Sequence, residues 1–344
     1  MSNPRIQGCD FLYDVNSFDV QQGMFHLNGW LLHRRQMLTH ASVSINSRIV
    51  ARRVELTPRA DVAQVLGGLT PYALRSGLTI SAPVAVDNNL DRLGITAFQD
   101  TREVGSLALH VRDLDLERKR LPVPPATLAE RVGGNNGFLL TGLRLYNDIK
   151  GNVERYRAFR FFRSVLDWGC GCGRILRYAL EEFPAASLHG CDIDADALHW
   201  VRESLPGPSF TRIAPFPPTS YPDEAFDFVY GISIFTHLTE DTQKLWLQEL
   251  RRITRPGGIV ACSVLGEAGA PADIKPQLKR SGFADVLSPQ SAEFAPYSNS
   301  DYYRVAYHSK KYILDIWSQY LDILEYVEFG INSHQDLVIM ERTR

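Results

Sequence analysis

The sequence predicts a two-part chain: an all-β sandwich, then an α/β domain built on a mostly parallel sheet. Three observations carry this. Up to residue 120, apolar residues recur in short runs with a period of two, the mark of half-buried strands. From residue 164 onward, strand-like runs alternate with helical ones, which implies a parallel sheet covered by helices on both faces. Between them, Arg118-Lys119-Arg120-Leu121-Pro122-Val123-Pro124-Pro125 is a basic, proline-rich stretch suited to a linker. The expected division is 1–120 for the sandwich, 121–163 for a linker and helical lead-in, and 164–344 for the α/β domain, with an insertion at about 266–308.

In the first part, Phe25, Leu27, Gly29 and Leu31 form one alternating series. Ala41, Val43 and Ile45 form a second, Asn46-Ser47 supplies a turn, and Ile49-Val50 begins the return. Runs at 78–80 and 93–98, then Leu107, Leu109 and Val111, complete about seven strands at sandwich spacing, with no helical pattern among them. After the linker, Leu139, Leu143, Tyr146 and Ile149 put helical spacing into residues 127–163. Strands then follow at 164–168, 188–192, 226–232 and 258–264, and helices at 174–183, 196–204 and 240–254. The tail differs. Residues 321–329 and 336–340 read as two strands joined through Gly330-Ile331-Asn332-Ser333, hence an antiparallel hairpin.

The chain has 344 residues, of which 44% are hydrophobic and 22% charged, enough for two cores and unlike a disordered chain. Lys plus Arg (37) nearly balance Asp plus Glu (39), so no basic field favours nucleic acid or an anionic membrane. No apolar run is long enough for a transmembrane helix, and the first residues lack the core of a secretory signal. Five scattered cysteines fit a reducing compartment. The expectation is a cytoplasmic protein with no membrane span and no nucleic-acid partner.

The strongest chemical signal is Val165-Leu166-Asp167-Trp168-Gly169-Cys170-Gly171-Cys172-Gly173-Arg174. Three glycines at alternate positions leave a strand and enter a helix, where a turn without Cβ atoms lets a ligand approach the backbone. The spacing is not the Gly-x-Gly-x-x-Gly of dinucleotide sites, and no Gly-Lys-Ser/Thr of a phosphate loop follows. Asp167, two positions before the first glycine, would repel a pyrophosphate and suit a ligand bearing an amino group. Cys170 and Cys172 have no second Cys/His pair at ligand spacing, so zinc is not expected.

This run resembles motif I of class I S-adenosylmethionine-dependent methyltransferases. Gly190-Cys191-Asp192-Ile193-Asp194, Phe226-Asp227-Phe228-Val229-Tyr230, Glu249-Leu250 and Arg255-Pro256-Gly257-Gly258 are similar to the family's later motifs and come in its order. The resemblance spans residues 130–342 and implies a Rossmann-like, seven-stranded methyltransferase domain with a reversed final strand. It implies S-adenosyl-L-methionine as cofactor, held by Asp167, Gly169, Gly171, Gly173, Asp192, Ile193, Gly231, Ile232 and Ser233, with Phe138 and Gly142 covering it. In the family, the acid matching Asp192 accepts hydrogen bonds from the ribose hydroxyls; Asp194 and Asp196 are expected as helix caps instead. The carboxylate that meets adenine in many members has no counterpart in residues 211–218, which leaves backbone groups and Phe216 for that contact.

Methyl transfer needs positioning, and a base where the acceptor must lose a proton. Candidates are His237 just past the fourth strand, His308 at the start of the last helix, and Glu267 after the fifth strand; His334 reads as structural. The long connection from Gly266 to His308 holds Phe283, Phe294, Tyr297, Tyr302, Tyr303 and Tyr307, with the three last tyrosines expected at the substrate. The first part also resembles an accessory β-sandwich of bacterial glycan-modifying proteins. That rests on Leu27-Asn28-Gly29-Trp30-Leu31-Leu32, on Val43-Ser44-Ile45-Asn46, and on Arg59-Ala60-Asp61-Val62, where the family pattern has proline in place of Ala60. It implies O-methylation of a saccharide or sugar-nucleotide precursor, the sandwich recognising the acceptor or forming a homodimer. The rival expectations are a phenol or amine methyltransferase of secondary metabolism, and a non-catalytic binding module.

Overall fold

The computed structural model describes residues 5–8, 10–21, 23–83, 92–110, 121–132, 137–180, 182–289 and 302–343. Its contacts divide the chain into two units: Cys9–Leu121 with Asn136–Asn147, and Met1–Gly8 with Pro122–Asn135 and Asp148–Arg344. The elements in chain order begin with β1 (Arg5–Gly8), β2 (Phe11–Gln21), β3 (Met24–His33), β4 (His40–Ile45), β5 (Arg48–Glu55) and β6 (Thr57–Pro58). Then come α1 (Ala60–Leu66), β7 (Arg75–Pro83), β8 (Arg92–Gln99) and β9 (Arg102–His110).

The smaller unit is two antiparallel four-stranded sheets, ordered β2-β3-β7-β6 and β5-β4-β8-β9. Alternation puts Phe25, Leu27 and Leu31 of β3, Ala41, Val43 and Ile45 of β4, Leu78 and Ile80 of β7, and Leu93, Ile95 and Ala97 of β8 into one buried cluster. Two inner faces sharing one core make a sandwich. Asn46 and Ser47 both have positive φ (48° and 67°), the twist that a two-residue hairpin between β4 and β5 requires. One expectation fails here: α1 is a helix, with Val62 and Leu66 one turn apart as its buried residues. Its seven residues are too few for a 3.6-residue period to stand out in sequence.

The second unit follows with α2 (Ala126–Arg131), α3 (Phe138–Val153), β10 (Val165–Trp168), α4 (Leu176–Ala179), β11 (Leu188–Asp192), α5 (Ala195–Ser204) and β12 (Ser209–Arg212). It continues with β13 (Phe226–Gly231), α6 (Glu240–Ile253), β14 (Thr254–Gly266), α7 (Lys275–Ser281), β15 (Phe283–Leu287), β16 (Arg304–His308), α8 (Lys310–Ile316), β17 (Asp322–Ile331) and β18 (Gln335–Glu341). The first ten residues of α3 belong to the smaller unit, where the Arg144 guanidinium pairs with Asp14 at 2.6 Å and lies over the Tyr13 ring.

The strand order is β1-β17-β18-β14-β13-β10-β11-β12. β10 to β14 pair in parallel, and β18 runs against both β14 and β17. The stretch from β12 to β17 is the seven-stranded sheet that the sequence predicts, with β18 as its reversed strand. Three further strands were not expected: β1 pairs in parallel with β17, and β15 and β16 extend from the end of β14. All four residues of β10 are buried, as a strand covered on both faces requires. The core runs through Leu166, Val229, Val260 and Val338 and is filled by Trp246 and Trp317.

Two helical expectations need correction. The lead-in over 127–163 is divided between α2 and α3 rather than continuous. The helix expected over 174–183 narrows to α4, because positive φ at Gly171 and Gly173 (50° and 74°) carries a turn through residues 171–175 before regular helix can begin. The insertion contributes α7, β15 and β16; Phe294 and Tyr297 lie outside the described residues, as do Val111 and the basic triplet of the linker. Among the described residues, no helix is long and apolar enough to cross a membrane.

Candidate active site

A cavity of about 290 Å³ opens at the carboxyl ends of β10, β11 and β13. Its lining comes wholly from the second unit. This is where an open α/β sheet presents ligands, because the strand order reverses between β10 and its two neighbours.

The glycine turn after β10 shapes one wall. Gly169, Gly171 and Gly173 all have positive φ, so each needs glycine for its backbone alone. A Cβ on Gly169 would overlap the Ile234 side chain, and one on Gly171 would sit 2.7 Å from Val132 Cγ1. Gly173 serves differently: its Cβ would meet Val201 and Leu205, so it admits α5 against the turn and is absent from the lining. Gly231 likewise makes room for Trp168 rather than facing the cavity.

Two carboxylates converge on that turn. Asp192 ends β11 and accepts the Gly171 N–H at 2.7 Å and the Asp194 N–H at 2.9 Å. Burial raises its pKa, and those backbone donors oppose the rise. Asp194 accepts the N–H groups of Asp196 and Ala197 and so caps α5, while also lining the cavity. Asp167 is 3% exposed, and its Oδ2 has no hydrogen-bond partner. Desolvation pushes its pKa up to about 8, with the nearby Tyr230 hydroxyl pulling the other way. A buried carboxylate with one oxygen left unpaired at a cavity is a site for a cation.

The opposite wall is aromatic. His237 lies in a short turn after β13, its Nδ1–H donating to the Arg304 carbonyl at 2.9 Å. A carbonyl can only accept, so in the neutral ring Nε2 carries the lone pair. Burial lowers the pKa of His237 and keeps the ring neutral at pH 7. Tyr303 stacks on it, with centroids 4.2 Å apart, and Tyr302 stands beside them with its hydroxyl donating to the Pro215 carbonyl at 2.8 Å. Trp246 Nε1–H donates to the same carbonyl at 3.1 Å. Ser233, at φ 63°, is fixed by its N–H to Ser263 Oγ and by the Gln335 amide at its own Oγ, both at 2.8 Å.

The cavity thus gathers Asp167, Gly169, Gly171, Asp192, Ile193, Ile232, Ser233, His237, Tyr302 and Tyr303 from the residues singled out in sequence. Others lie elsewhere. His308 ends β16 instead of starting α8; it is fully buried and packs on Phe283 and Trp317. Its Nε2 meets Gln243 Oε1 at 2.8 Å, and Gln243 donates onward to the Phe235 and Leu238 carbonyls on either side of His237. It therefore supports the His237 turn and is no base at the cavity. Glu267 is exposed in the turn after β14, and Tyr307 packs on the cluster around Ile274 and Leu278. Phe138 and Gly142 fall in the part of α3 assigned to the smaller unit. Phe216 is 43% exposed and meets the Tyr302 ring edge-on, leaving Ile213 as the apolar lining residue of that segment. Arg174, at the end of the glycine run, also lines the cavity, as do Trp246 and the α2 residues Leu128 and Arg131, which the sequence did not single out.

The matches to known proteins agree with this geometry. Residues 165–258 match the family described as a methyltransferase domain. The chain is 31% identical over 142 residues to a malonyl-[acyl-carrier protein] O-methyltransferase of Halorhodospira halophila, across 39% of this chain and 48% of that protein. It is 29% identical over 135 residues to a trans-aconitate 2-methyltransferase of Rhodopseudomonas palustris, across 39% of this chain and 50% of that one. The chain thus spans about half the length of these relatives. Among solved structures, the domain is similar to an S-adenosylmethionine-dependent methyltransferase of Methanosarcina mazei (17% identity, TM-score 0.38, covering 52% of this chain and 92% of that one). The four described cysteines are free and buried, and burial raises the pKa of each thiol, so none is primed as a nucleophile. Among the described residues no group of His, Cys, Asp and Glu could hold a metal ion.

Proposed function

We propose that this chain transfers the methyl group of S-adenosylmethionine to a hydroxyl oxygen of a small acceptor. The observation that supports the reading most is the convergence of Asp167, the Gly169–Gly171 turn and Asp192 on one cavity, with Asp167 Oδ2 left without a partner. When bound, S-adenosylmethionine supplies a methyl group on cationic sulfur, open to in-line displacement. Asp167 takes the ammonium of its amino-acid end. Asp192 keeps lone pairs beyond those used by the Gly171 and Asp194 N–H groups, and these take the ribose hydroxyls. Ile193 and Ile213 provide apolar cover for the base. His237 Nε2 accepts the acceptor's proton, while Tyr302 and Tyr303 wall the acceptor side.

Both relatives are named for acceptors that are acids or acyl carriers. A carboxylate is already a nucleophile and needs no base, whereas a hydroxyl does; the neutral His237 therefore favours a hydroxyl here. Within that class we carry forward a saccharide or sugar-nucleotide hydroxyl, with a phenol as the rival. Calorimetry with S-adenosylhomocysteine tests the cofactor site, and no binding by the wild type sinks the proposal. A labelled methyl donor offered with sugars, sugar nucleotides, phenols and carboxylic acids tests the acceptor. Label found only in methyl esters, at a rate that His237→Ala leaves unchanged, would replace the hydroxyl reading.

A further inference from the structure

His237 is held from outside its own turn. That turn, Phe235–His237, runs through Leu238 and Thr239 into α6. Gln243, in the first turns of α6, is fully buried and donates through its amide nitrogen to the Phe235 carbonyl at 2.8 Å and the Leu238 carbonyl at 3.1 Å. A carbonyl only accepts, so the amide nitrogen must face this pair and Oε1 must face His308. His308 Nε2 lies 2.8 Å from that oxygen and therefore carries the proton. Burial drives the His308 pKa down to about 3, so at neutral pH the ring is an uncharged donor in one fixed tautomer.

The other end of the same strand reaches His237 directly. β16 pairs with β14 through Tyr307 and His308, and the Arg304 carbonyl at its start accepts His237 Nδ1–H at 2.9 Å. The Arg304 guanidinium is taken by Asp285 of β15 at 3.1 Å, and Tyr303 stacks on the imidazole. If the turn shifted, His237 would leave the carbonyl that keeps its proton on Nδ1, and either ring nitrogen could then carry it. We propose that Gln243 is a positioning residue for His237, oriented by His308, so that the β15–β16 hairpin dictates which ring nitrogen holds the lone pair. Its consequence for turnover rests on His237 being the base proposed above.

Nitrogen-15 histidine spectra of the full chain read the tautomer without an acceptor, the His237 signals being those that His237→Ala lacks. The wild type is expected to show one neutral form, with the lone pair on Nε2. Gln243→Met keeps the side-chain length and removes the donor. It is expected to mix the two forms and to slow label transfer to the panel of sugars, sugar nucleotides and phenols by about 10- to 100-fold. Affinity for S-adenosylhomocysteine stays within about twofold, and in a His237→Ala background the same substitution changes the rate by less than about twofold. An unmoved histidine spectrum overturns the inference, as does equal slowing with and without His237, the mark of a structural role. Should Gln243→Met not fold, His308→Phe, which keeps a ring and loses the donor, is expected to mix the forms, and His308→Gln, which keeps an N–H, to retain one; a wild-type spectrum in both overturns the inference. Label transfer at the wild-type rate by His237→Ala removes the base reading and this inference together, whereas an unmoved spectrum removes the inference alone.

Discussion

The sandwich and the α/β unit bury different things. The sandwich core is a set of aliphatic and aromatic side chains from two sheets, with each strand's inward residues alternating as its sequence does. The second unit has an apolar core too, but at the carboxyl ends of β10 and β11 it also buries Asp167 and Asp194 and half-buries Asp192. Such burial destabilises a fold unless something pairs with the charge. One unit is thus arranged for its own stability, and the other gives up some stability at one edge to hold carboxylates out of water.

Substitutions can break or sharpen that contrast. The largest effect is expected from His237→Ala, which lowers kcat by about 10²- to 10⁴-fold with S-adenosylhomocysteine affinity unchanged, as single-turnover kinetics and calorimetry would read. Next, Leu27→Ala in the sandwich core costs about 2–5 kcal/mol in denaturant unfolding but leaves cofactor affinity in the folded protein alone. A sandwich variant that folds fully and loses affinity would erase the distinction. Asp192→Ala does the reverse, weakening cofactor binding by about 1.5–3 kcal/mol, the loss of hydrogen bonds to a charged group.

Asp167 makes the contrast depend on pH. Its pKa of about 8 in the folded protein lies above the ordinary 3.8, so the folded state holds a proton that the unfolded chain releases. Its contribution to stability is therefore present below pH 4 and is lost as pH rises towards 8. Asp167→Asn is expected to raise the melting temperature by about 2–4 °C per kcal/mol relieved at pH 8, to gain little at pH 4, and to weaken cofactor binding. Binding a cation needs the ionised form, so wild-type affinity rises with pH up to about 8, by up to about tenfold per unit, and is flat above. The smallest effect belongs to Phe216→Ala, which at its exposed position changes stability by about 0.5 kcal/mol or less and leaves affinity intact.

The two units were also unequally legible. The period-two runs named the inward faces of β3, β4, β7 and β8, because strand alternation is written residue by residue. The glycine turn and Asp192 were legible because positive φ and close approach leave glycine little substitute. What escaped depends on contacts far along the chain. Arg174 follows the glycine turn that the sequence singled out, yet that its side chain lines the cavity is seen only in the fold. Trp246 enters from α6, and nothing in its own segment says that it faces the cavity. His308 and Glu267 were drawn in by closeness to strand ends, but sequence position does not say on which side of a sheet's edge a side chain lies.

The pairing of β1 with β17 bears on how this protein can be divided. Arg5 to Gly8 stand in register with Glu325 to Glu328, so strand β17 of the second unit's sheet is guarded by residues that precede the sandwich. The sandwich is therefore an insert between β1 and α2, not a detachable prefix. Cutting at residue 122 to isolate the second unit would bare the backbone amides and carbonyls of β17, inviting edge-to-edge association. Rejoining the first eight residues to the chain from residue 122 would keep β1 on β17, but it would strip Asn136–Asn147 of the rest of the smaller unit to which they belong, including the Asp14 partner of Arg144.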